Sequence, residues 1–242
     1  MGNLYIVAIP IGNLQDITLR AIKILQSVDV IACEDTRRTG ILLHKIMPTY
    51  EVESTEPRRC DAGRPRLISY YEQNELQRIP EVISAIKDGL NIALVSDAGT
   101  PMVSDPGFKL VRECIREGIK VESIPGPSSV IVALTVSGLP TDKFLFVGYP
   151  PKKPGHRNTF FKNIASMIQI IKATIIMFEA PHKLLRTLVE MKEAFGDIDI
   201  VLCRELTKTY EEVRREKISE SIEHFARFTP KGEFVILLSI NN

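Results

Sequence analysis

Several features that would place a chain in a familiar class are missing from this sequence. Its 242 residues include only four cysteines, which lie far apart and form no Cys-x-x-Cys pair. This spacing predicts reduced cytosolic thiols and argues against a disulfide framework or a zinc site. The four histidines show neither His-x-x-x-His nor His-Glu-x-x-His spacing. We therefore predict that the protein binds no metal.

Long apolar runs and a large net charge are also absent. No apolar run approaches the ~20 residues that a membrane-spanning helix requires, and the first residues have no basic flank that would indicate a signal peptide. With 44% hydrophobic and 25% charged residues, the composition is typical of a soluble globular protein. We expect a cytoplasmic protein that has no contact with a membrane.

The basic residues are unevenly distributed although the net charge is only +1. Residues 151–173 contain five lysines or arginines and no acidic residue. A second basic cluster begins at Arg37 and extends to Arg66, diluted by acidic residues. Such runs form either a solvent-exposed face or a surface that binds a polyanion, and the sequence leaves both possibilities open.

Strand-like and helical segments alternate along most of the chain. The first strand is expected at 4–10 and the first helix at 17–28, with Asp16 as its N-cap. Further strands are expected at 28–34, 67–70, 91–96, 120–125, 174–180, 197–206, 211–219 and 232–240. Further helices are expected at 36–45, 75–89, 108–118, 128–137, 156–171 and 181–195, with a brief one before the last strand. β-Branched strands that alternate with helices predict a parallel sheet covered on both faces, and the final strands predict a mixed sheet.

The alternation is interrupted at GYPPKKPGHR, residues 148–157, which is rich in proline and glycine and is typical of a hinge. We therefore expect two α/β domains, at 1–148 and 149–242. Residues 47–66 have no period and are expected to form a surface loop.

Three of the expected strands end in small, turn-forming segments: AIPIGN, SDAGTP and IPGPSS. In open α/β sheets, ligands bind at the carboxyl ends of the strands, so these segments predict a binding site. In SDAGTP, Gly99 permits a close approach of the backbone, and Asp97 and Thr100 offer polar contacts. The following SDPG is expected to lead into the next helix, with Ser104 or Asp105 as its cap. Tight-turn chemistry alone is the alternative explanation.

Common signatures of nucleotide-binding and hydrolytic proteins are absent. The sequence has no Gly-x-Gly-x-x-Gly fingerprint and no phosphate-binding P-loop. It also has no Gly-x-Ser-x-Gly elbow, which argues against a hydrolase of that type.

Long blocks of the sequence, including IACEDTRRTGILL, ISYYEQNE, ALVSDAGTPMVSDPGFKLV, IPGPSSVIVALTVSGLPTDKFLFVGYPPKK, FEAPHKLLRTL and CRELTKTYEEV, closely resemble the bacterial small-subunit (16S) ribosomal RNA 2'-O-ribose cytidine methyltransferases of the tetrapyrrole methylase superfamily. The resemblance spans residues 4–238. It implies two α/β domains, with S-adenosylmethionine as cofactor in the cleft between them. It also implies a small-subunit ribosomal RNA, or the assembled subunit, as substrate and a homodimer as the usual assembly.

The resemblance also implies a set of cofactor-binding residues. In the first domain these are Pro10, Asp97, Ala98, Gly99, Thr100, Val103, Ser128 and Ser129. In the second they are Phe178, Glu179, Leu206 and Glu233. Core packing is the alternative for Phe178 and Leu206, and Glu205 could be a buried partner of Arg204 or of another base.

The charged segment CEDTRRT follows the second strand and suggests catalytic residues. Asp35 or Glu34 would act as general base towards a ribose hydroxyl, and Arg37 or Arg38 would hold phosphate. In the alternative, Asp35 caps the next helix and the arginines face solvent.

Further cations would attract the RNA phosphates without sequence specificity. They are Lys152, Lys153, Arg157, Arg58 and Arg59.

Other functions remain open at this point. The chain could methylate a tetrapyrrole or corrin precursor or, with less support, a protein of the diphthine type. It could also be a catalytically silent module that binds ribosomes. Two differences from the family, a longer arginine-rich segment at 47–66 and an end directly after the last strand, leave the RNA affinity open.

Overall fold

A computed structural model describes residues 1–46 and 65–239. Contacts between Cα atoms divide the chain into two compact units, Met1–Ser128 and Ser129–Asn242. The boundary predicted after Gly148 lies inside the second unit, and the division into domains at 148 stays a prediction. The loop expected at 47–66 lies almost entirely outside the described residues.

The first unit contains five strands and four helices that alternate along the described chain. The strands are β1 (Leu4–Val7), β2 (Val30–Cys33), β3 (Arg66–Ser69), β4 (Ile92–Val95) and β5 (Val121–Ile124). The helices are α1 (Leu19–Ser27), α2 (Thr36–Ile46), α3 (Glu75–Lys87) and α4 (Phe108–Arg116).

All five strands of the first unit are parallel, in the order β3-β2-β4-β1-β5. One hydrophobic cluster joins α1 and α2 to one face of the sheet, through residues such as Ile22, Leu43 and Ile31. A second joins α3 and α4 to the other face, through residues such as Ile86 and Leu110. The predicted parallel sheet with two covered faces is therefore confirmed. Because α1 and α4 leave the neighbouring strands β1 and β4 on opposite faces, the carboxyl ends of these strands form a switch point of the kind that binds ligands.

Two helix caps differ from the prediction. Thr18, not Asp16, caps α1 by accepting a hydrogen bond from the Ala21 amide, while Asp16 belongs to a short 3-10 helix at Leu14–Asp16. Helix α4 begins after Gly107, which occupies the cap position and offers no side-chain oxygen, so neither Ser104 nor Asp105 is its N-cap residue. Both errors arise because the loops continue for two or more residues past the first plausible cap.

The second unit also combines strands and helices. Its strands are β6 (Phe144–Phe146), β7 (Thr174–Glu179), β8 (Asp199–Arg204), β9 (Glu212–Lys217) and β10 (Phe234–Leu238). Its α-helices are α5 (Ser129–Ser137), α6 (Pro154–Ile171), α7 (Leu184–Phe195) and α8 (Ile218–Arg227), with a 3-10 turn at Pro181–Lys183.

The second sheet is mixed, as predicted, with the order β6-β7-β10-β8-β9. Strand β10 runs antiparallel to both of its neighbours, and β6 pairs with β7 in parallel. Helices α6, α7 and α8 share one hydrophobic cluster with the sheet. Because β7 and β8 both oppose β10, they point in the same direction, and their carboxyl ends lie at one end of the sheet.

The described residues also bear on the membrane, metal and thiol predictions. Within 1–46 and 65–239, no helix is long and apolar enough to cross a membrane. Over the same residues, no group of three or more His, Cys, Asp or Glu side chains is placed to hold a metal ion. Cys33, Cys114 and Cys203 are free, buried thiols, and Cys60 lies outside the described residues.

Candidate functional site

The loops that follow β1 and β4 are joined at the carboxyl edge of the first sheet. Ile9 donates a hydrogen bond from its amide to the Gly99 carbonyl at 2.9 Å, and the Gly99 amide donates to the Ile9 carbonyl at 3.0 Å. The buried Pro10 follows directly. This two-way contact holds the predicted residues Pro10 and Gly99 beside each other at the switch point.

The loop after β5 joins the same group. The Thr100 hydroxyl donates to the Pro127 carbonyl at 2.9 Å, one residue before Ser128. The Ser96 hydroxyl donates to the Ala98 carbonyl at 3.0 Å and tightens the turn itself. The three loops that the sequence singled out therefore meet at one edge, and their cofactor contacts stay a prediction.

The backbone of the β4 loop is strained in a way that local sequence does not require. Gly99 has a φ of 74°, which glycine tolerates, but Met102 at 72° and Ser104 at 66° are also left-handed. Non-glycine residues rarely adopt this region, and such residues concentrate at binding and catalytic sites. Val103 lies between these two strained positions.

A charged group lies beside this loop, at the carboxyl end of β2. The Asp97 carboxylate accepts a hydrogen bond from the Asp35 amide at 3.2 Å and forms an ion pair with Arg38 at 3.0 Å. The Asp97 amide lies close enough to the Glu34 carboxylate to lower the pKa of Glu34. The structure thus brings the predicted Asp35 and Asp97 together and places Arg38 beside Asp97.

The Asp35 side chain interacts with the first turn of α2, the helix that it precedes. Its carboxylate accepts from the Arg37 amide at 2.8 Å, so Asp35 caps α2, as one of the two interpretations predicted. It also pairs with the Arg37 guanidinium at 2.9 Å, while the Arg37 side chain remains 87% exposed. The hydrogen bonds from Arg37 lower the pKa of Asp35 to about 2.

Glu34 has the opposite electrostatic environment. Partial burial raises the pKa of its carboxyl, and the negative charge of Asp97 adds to the increase. The Asp97 amide and Arg38 oppose the increase without cancelling it. A base with a raised pKa accepts a proton more readily than one near 2, so the geometry and the charges favour Glu34 over Asp35 as the proton acceptor.

In the second unit, four predicted residues lie at one end of the sheet. In the strand register, Phe234 of β10 lies opposite Glu179 of β7 and Arg204 of β8. Phe178 and Glu179 therefore lie at the same end as Leu206 and Glu233, which follow β8 and precede β10. Leu206 is buried, consistent with the packing role that was its alternative.

The Glu179 side chain belongs to a buried polar network. It accepts a hydrogen bond from the Thr187 hydroxyl and from the Ala180 amide, and it lies 3.7 Å from the Arg157 guanidinium. Arg157 also donates to Thr187 at 2.5 Å and to Glu190 at 2.6 Å. The Arg157 and Glu179 side chains are only 2% and 1% exposed. The prediction that Arg157 is a surface contact for phosphate is therefore wrong, because its charge is buried and neutralised.

The loop after β8 contains a second strained backbone. Glu205 and Thr207 have φ values of 49° and 63°. The Glu205 carboxylate accepts from the Glu233 amide at 2.9 Å and pairs with Lys208 at 3.1 Å. Partial burial opposes ionisation, but these contacts outweigh it and lower the pKa of Glu205. Its partner is thus Lys208, while Arg204 pairs with Glu212 at 3.3 Å.

Gly232 explains how the β8 loop can approach β10 so closely. A Cβ atom at this position would lie 2.6 Å from the Glu205 Cγ. The sequence prediction includes Leu206 and Glu233 but not Lys208, which pairs with Glu233 at 2.9 Å as well as with Glu205. The three-residue spacing between Glu205 and Lys208 was the available signal.

Residues 3–221 match the family described as Tetrapyrrole (Corrin/Porphyrin) Methylases. A protein of Thermotoga maritima named "Ribosomal RNA small subunit methyltransferase I" is 43% identical over 239 residues, which cover 99% of each chain. A protein of the same name from Mesorhizobium japonicum is 45% identical over 96% of this chain and 74% of its own.

Solved structures share the fold at low sequence identity. Uroporphyrin-III C-methyltransferase of Thermus thermophilus, complexed with S-adenosyl homocysteine, has a TM-score of 0.64 and 17% identity, and the match covers 98% of this chain and 97% of that one. The cobalt precorrin-4 methyltransferase has a TM-score of 0.67 and 18% identity, covering 97% and 94%. The resemblance inferred from the sequence blocks is confirmed, and the chain belongs to the tetrapyrrole (corrin/porphyrin) methylase family.

Proposed function

We propose that this protein transfers a methyl group from S-adenosylmethionine to the ribose 2'-hydroxyl of a cytidine in small-subunit ribosomal RNA. The observation that carries the proposal is the similarity, over 96–99% of this chain, to proteins named for methylation of small-subunit ribosomal RNA. We choose the ribose hydroxyl and cytidine because the sequence blocks resemble those of the 2'-O-ribose cytidine methyltransferases.

The first unit offers polar and apolar groups that fit the cofactor. The Asp97 carboxylate, 30% exposed, can accept hydrogen bonds from hydroxyl or ammonium groups. Val103 offers partly exposed apolar surface, Pro10 is buried at the same edge, and Gly99 leaves no room for a Cβ, because that atom would lie 3.2 Å from Ile11 Cγ2. We propose that these residues bind S-adenosylmethionine, together with Ala98, Thr100 and Ser128. For the second unit, the resemblance of the sequence blocks implies Ser129, Phe178, Glu179, Leu206 and Glu233 as further cofactor-binding residues.

A pair of glycine variants tests this assignment. Gly99→Ala is expected to weaken S-adenosylmethionine binding, measured by isothermal titration calorimetry, because the new Cβ crowds Ile11. Gly118→Ala is the matched control: Gly118 has a similar φ of 70° but no atom within 4 Å of its Cβ position. Both should lose about 1 kcal/mol of stability to the left-handed backbone. Equal cofactor affinities in the two variants would contradict the role of the Gly99 loop.

The reaction requires little covalent chemistry from the protein. When bound, S-adenosylmethionine supplies an electrophilic methyl group on its sulfonium. The protein's part is to hold the ribose hydroxyl in line and to exclude water, and such positioning provides much of the acceleration in transfers of this kind. The carboxyl edge of the first sheet supplies preorganised loops for this purpose.

Glu34 is the residue that we propose as general base for the ribose proton. It lies against Asp97 and has the raised pKa that this task requires. The other predicted pair, Asp35 and Arg37, would then act by position: Asp35 fixes the start of α2, and the exposed Arg37 guanidinium faces outward to hold an RNA phosphate.

The partner and the location follow from the same proposal. The substrate is the small-subunit ribosomal RNA or the assembled subunit, and the protein would work in the cytoplasm as a homodimer. The exposed Lys152 and Lys153 remain suited to nonspecific phosphate contacts, whereas Arg58 and Arg59 lie outside the described residues.

The decisive test uses isotopically labelled S-adenosylmethionine and small ribosomal subunits that lack the modification. After incubation, the RNA is digested and the labelled nucleosides are identified by mass spectrometry. We expect label in 2'-O-methylcytidine. Cofactor binding without label in RNA would contradict the proposal and favour a tetrapyrrole-type methylase or a silent binding module, which labelled transfer to uroporphyrinogen would distinguish.

A further inference from the structure

Tyr149 is a large aromatic residue that remains accessible although it is well anchored. It is 54% exposed, yet its ring lies 5.5 Å from the Phe178 ring at an interplanar angle of 63°. Phe178 in turn contacts Phe146 edge-on at 4.8 Å. These three residues form an aromatic ledge, of which Tyr149 is the most exposed member.

The backbone on both sides of Tyr149 is fixed. The Gly148 carbonyl accepts a hydrogen bond from the Phe178 amide at 3.0 Å. Pro150 is buried, and the Pro151 carbonyl accepts from the buried Arg157 at 3.2 Å. Little conformational freedom is therefore left to lose when a ligand covers the Tyr149 ring.

The charged residues in the segment of the chain that contains the ledge are all basic. Residues 143–178 contain five lysines and one arginine and no acidic residue. Arg157 is neutralised inside the unit, but Lys152 and Lys153 are exposed just before α6, whose first turn contains no acid. The positive end of the helix dipole adds to their field. The acidic residues Glu190 and Glu193 of α7 line a pocket with Pro154 and Lys162 of α6, and Glu190 pairs with the buried Arg157.

We infer that the aromatic ledge binds an unpaired nucleotide of the RNA substrate: the base stacks on the exposed face of Tyr149, and Lys152 and Lys153 hold the neighbouring phosphates. Exposed aromatic rings beside cations are the usual means by which proteins bind single-stranded RNA. This inference rests on the proposed function for its partner, and it adds residues that contact RNA next to Phe178, one of the proposed cofactor-binding residues.

The experiment measures binding of the full chain to a short single-stranded RNA with a central cytidine, by fluorescence anisotropy. Tyr149→Ala is expected to bind about 5- to 100-fold more weakly, the loss of one stacked base, whereas Tyr149→Phe keeps the ring and should bind like the wild type. Phe228→Ala removes another exposed aromatic side chain, 62% exposed on the same unit, and should leave the affinity unchanged. Lys152→Ala and Lys153→Ala should each reduce the slope of log K against log salt by about 0.7.

Two further measurements separate stacking from a structural effect. If Tyr149 stacks on the base, Tyr149→Ala should lose much less affinity for an RNA with an abasic site in place of the cytidine. In the unmodified chain, ultraviolet cross-linking should attach the RNA to the peptide that contains Tyr149. Equal losses on both RNAs, or no cross-link at this peptide, would overturn the inference.

The outcome is distinguishable from failure of the proposed function. If the wild type methylates small subunits and Tyr149→Ala binds RNA equally well, only the role of the ledge is wrong. If the wild type binds the oligonucleotide through Tyr149 but labels no ribosomal RNA, the proposed reaction fails and the RNA-binding ledge stands.

Discussion

Replacing Glu34 with glutamine is expected to lower the single-turnover methylation rate by about 10²- to 10⁴-fold, with saturating RNA and cofactor. This is the range that a well-placed general base contributes, and glutamine keeps the shape of the side chain while removing its basicity. Asp35→Asn is the matched comparison. Because Arg37 lowers the pKa of Asp35 to about 2, Asp35 is a poor base, and its replacement should cost far less. A larger loss for Asp35→Asn than for Glu34→Gln would restore Asp35 as the catalytic carboxylate.

The pH dependence gives a second readout for the same residue. A base acts only when deprotonated, so the wild-type rate should fall as the pH drops through the pKa of Glu34. Burial and the charge of Asp97 raise that pKa, so the fall should begin at a higher pH than for an ordinary glutamate. Arg38→Ala removes a cation that lowers this pKa and should move the fall to still higher pH. An unchanged profile in Glu34→Gln would exclude Glu34 as the titrating group.

Replacing Arg157 with alanine is expected to reduce the free energy of unfolding by about 3–5 kcal/mol, because it leaves Glu179 buried without its cation. The two side chains are 2% and 1% exposed and share Thr187 as a hydrogen-bond partner. Urea unfolding of the full chain, followed by circular dichroism, measures the change. Adding Glu179→Gln to the Arg157→Ala variant should recover part of the loss, since no unpaired charge then remains on Glu179.

Arg186→Ala is the control for this variant. Arg186 pairs at 2.9 Å with Glu190, which also pairs with Arg157, but the Arg186 side chain is 51% exposed. Ion pairs of this kind contribute about 0–1 kcal/mol. If the two alanine variants lost similar stability, the network around Glu179 would not be the strong structural element that its burial indicates.

Much of the fold could be predicted because hydrophobic patterning and turn residues agree along most of the chain. Strand β4, for example, was expected at 91–96 and lies at Ile92–Val95, bounded by polar residues on both sides. Strand β6 was missed because three residues, Phe144–Phe146, are too few to show a period. Its place in the sheet depends on pairing with β7, which is distant in sequence.

The site was predictable where it depends on loops and unpredictable where it depends on burial. The meeting of the Gly99 and Pro10 loops follows from the rule that parallel strands place their carboxyl ends at one edge. The burial of Arg157 was overlooked, although it shares the buried face of α6 with Phe161, Ile164 and Ile168 at helical spacing. The pairing of Asp35 with Arg37, which is one reason that we propose Glu34 rather than Asp35 as the base, is likewise revealed by no spacing rule.

The position of β10 at the centre of the second sheet constrains how the protein is made. Strands β7 and β8 do not pair with each other, and each completes its hydrogen bonds only with β10. During translation, the first unit can form its parallel sheet as soon as β5 has left the ribosome. The second unit must wait with two unsatisfied strand edges until β10 emerges. Chaperone dependence and aggregation of nascent chains should therefore concentrate in the interval between the synthesis of β8 and that of β10.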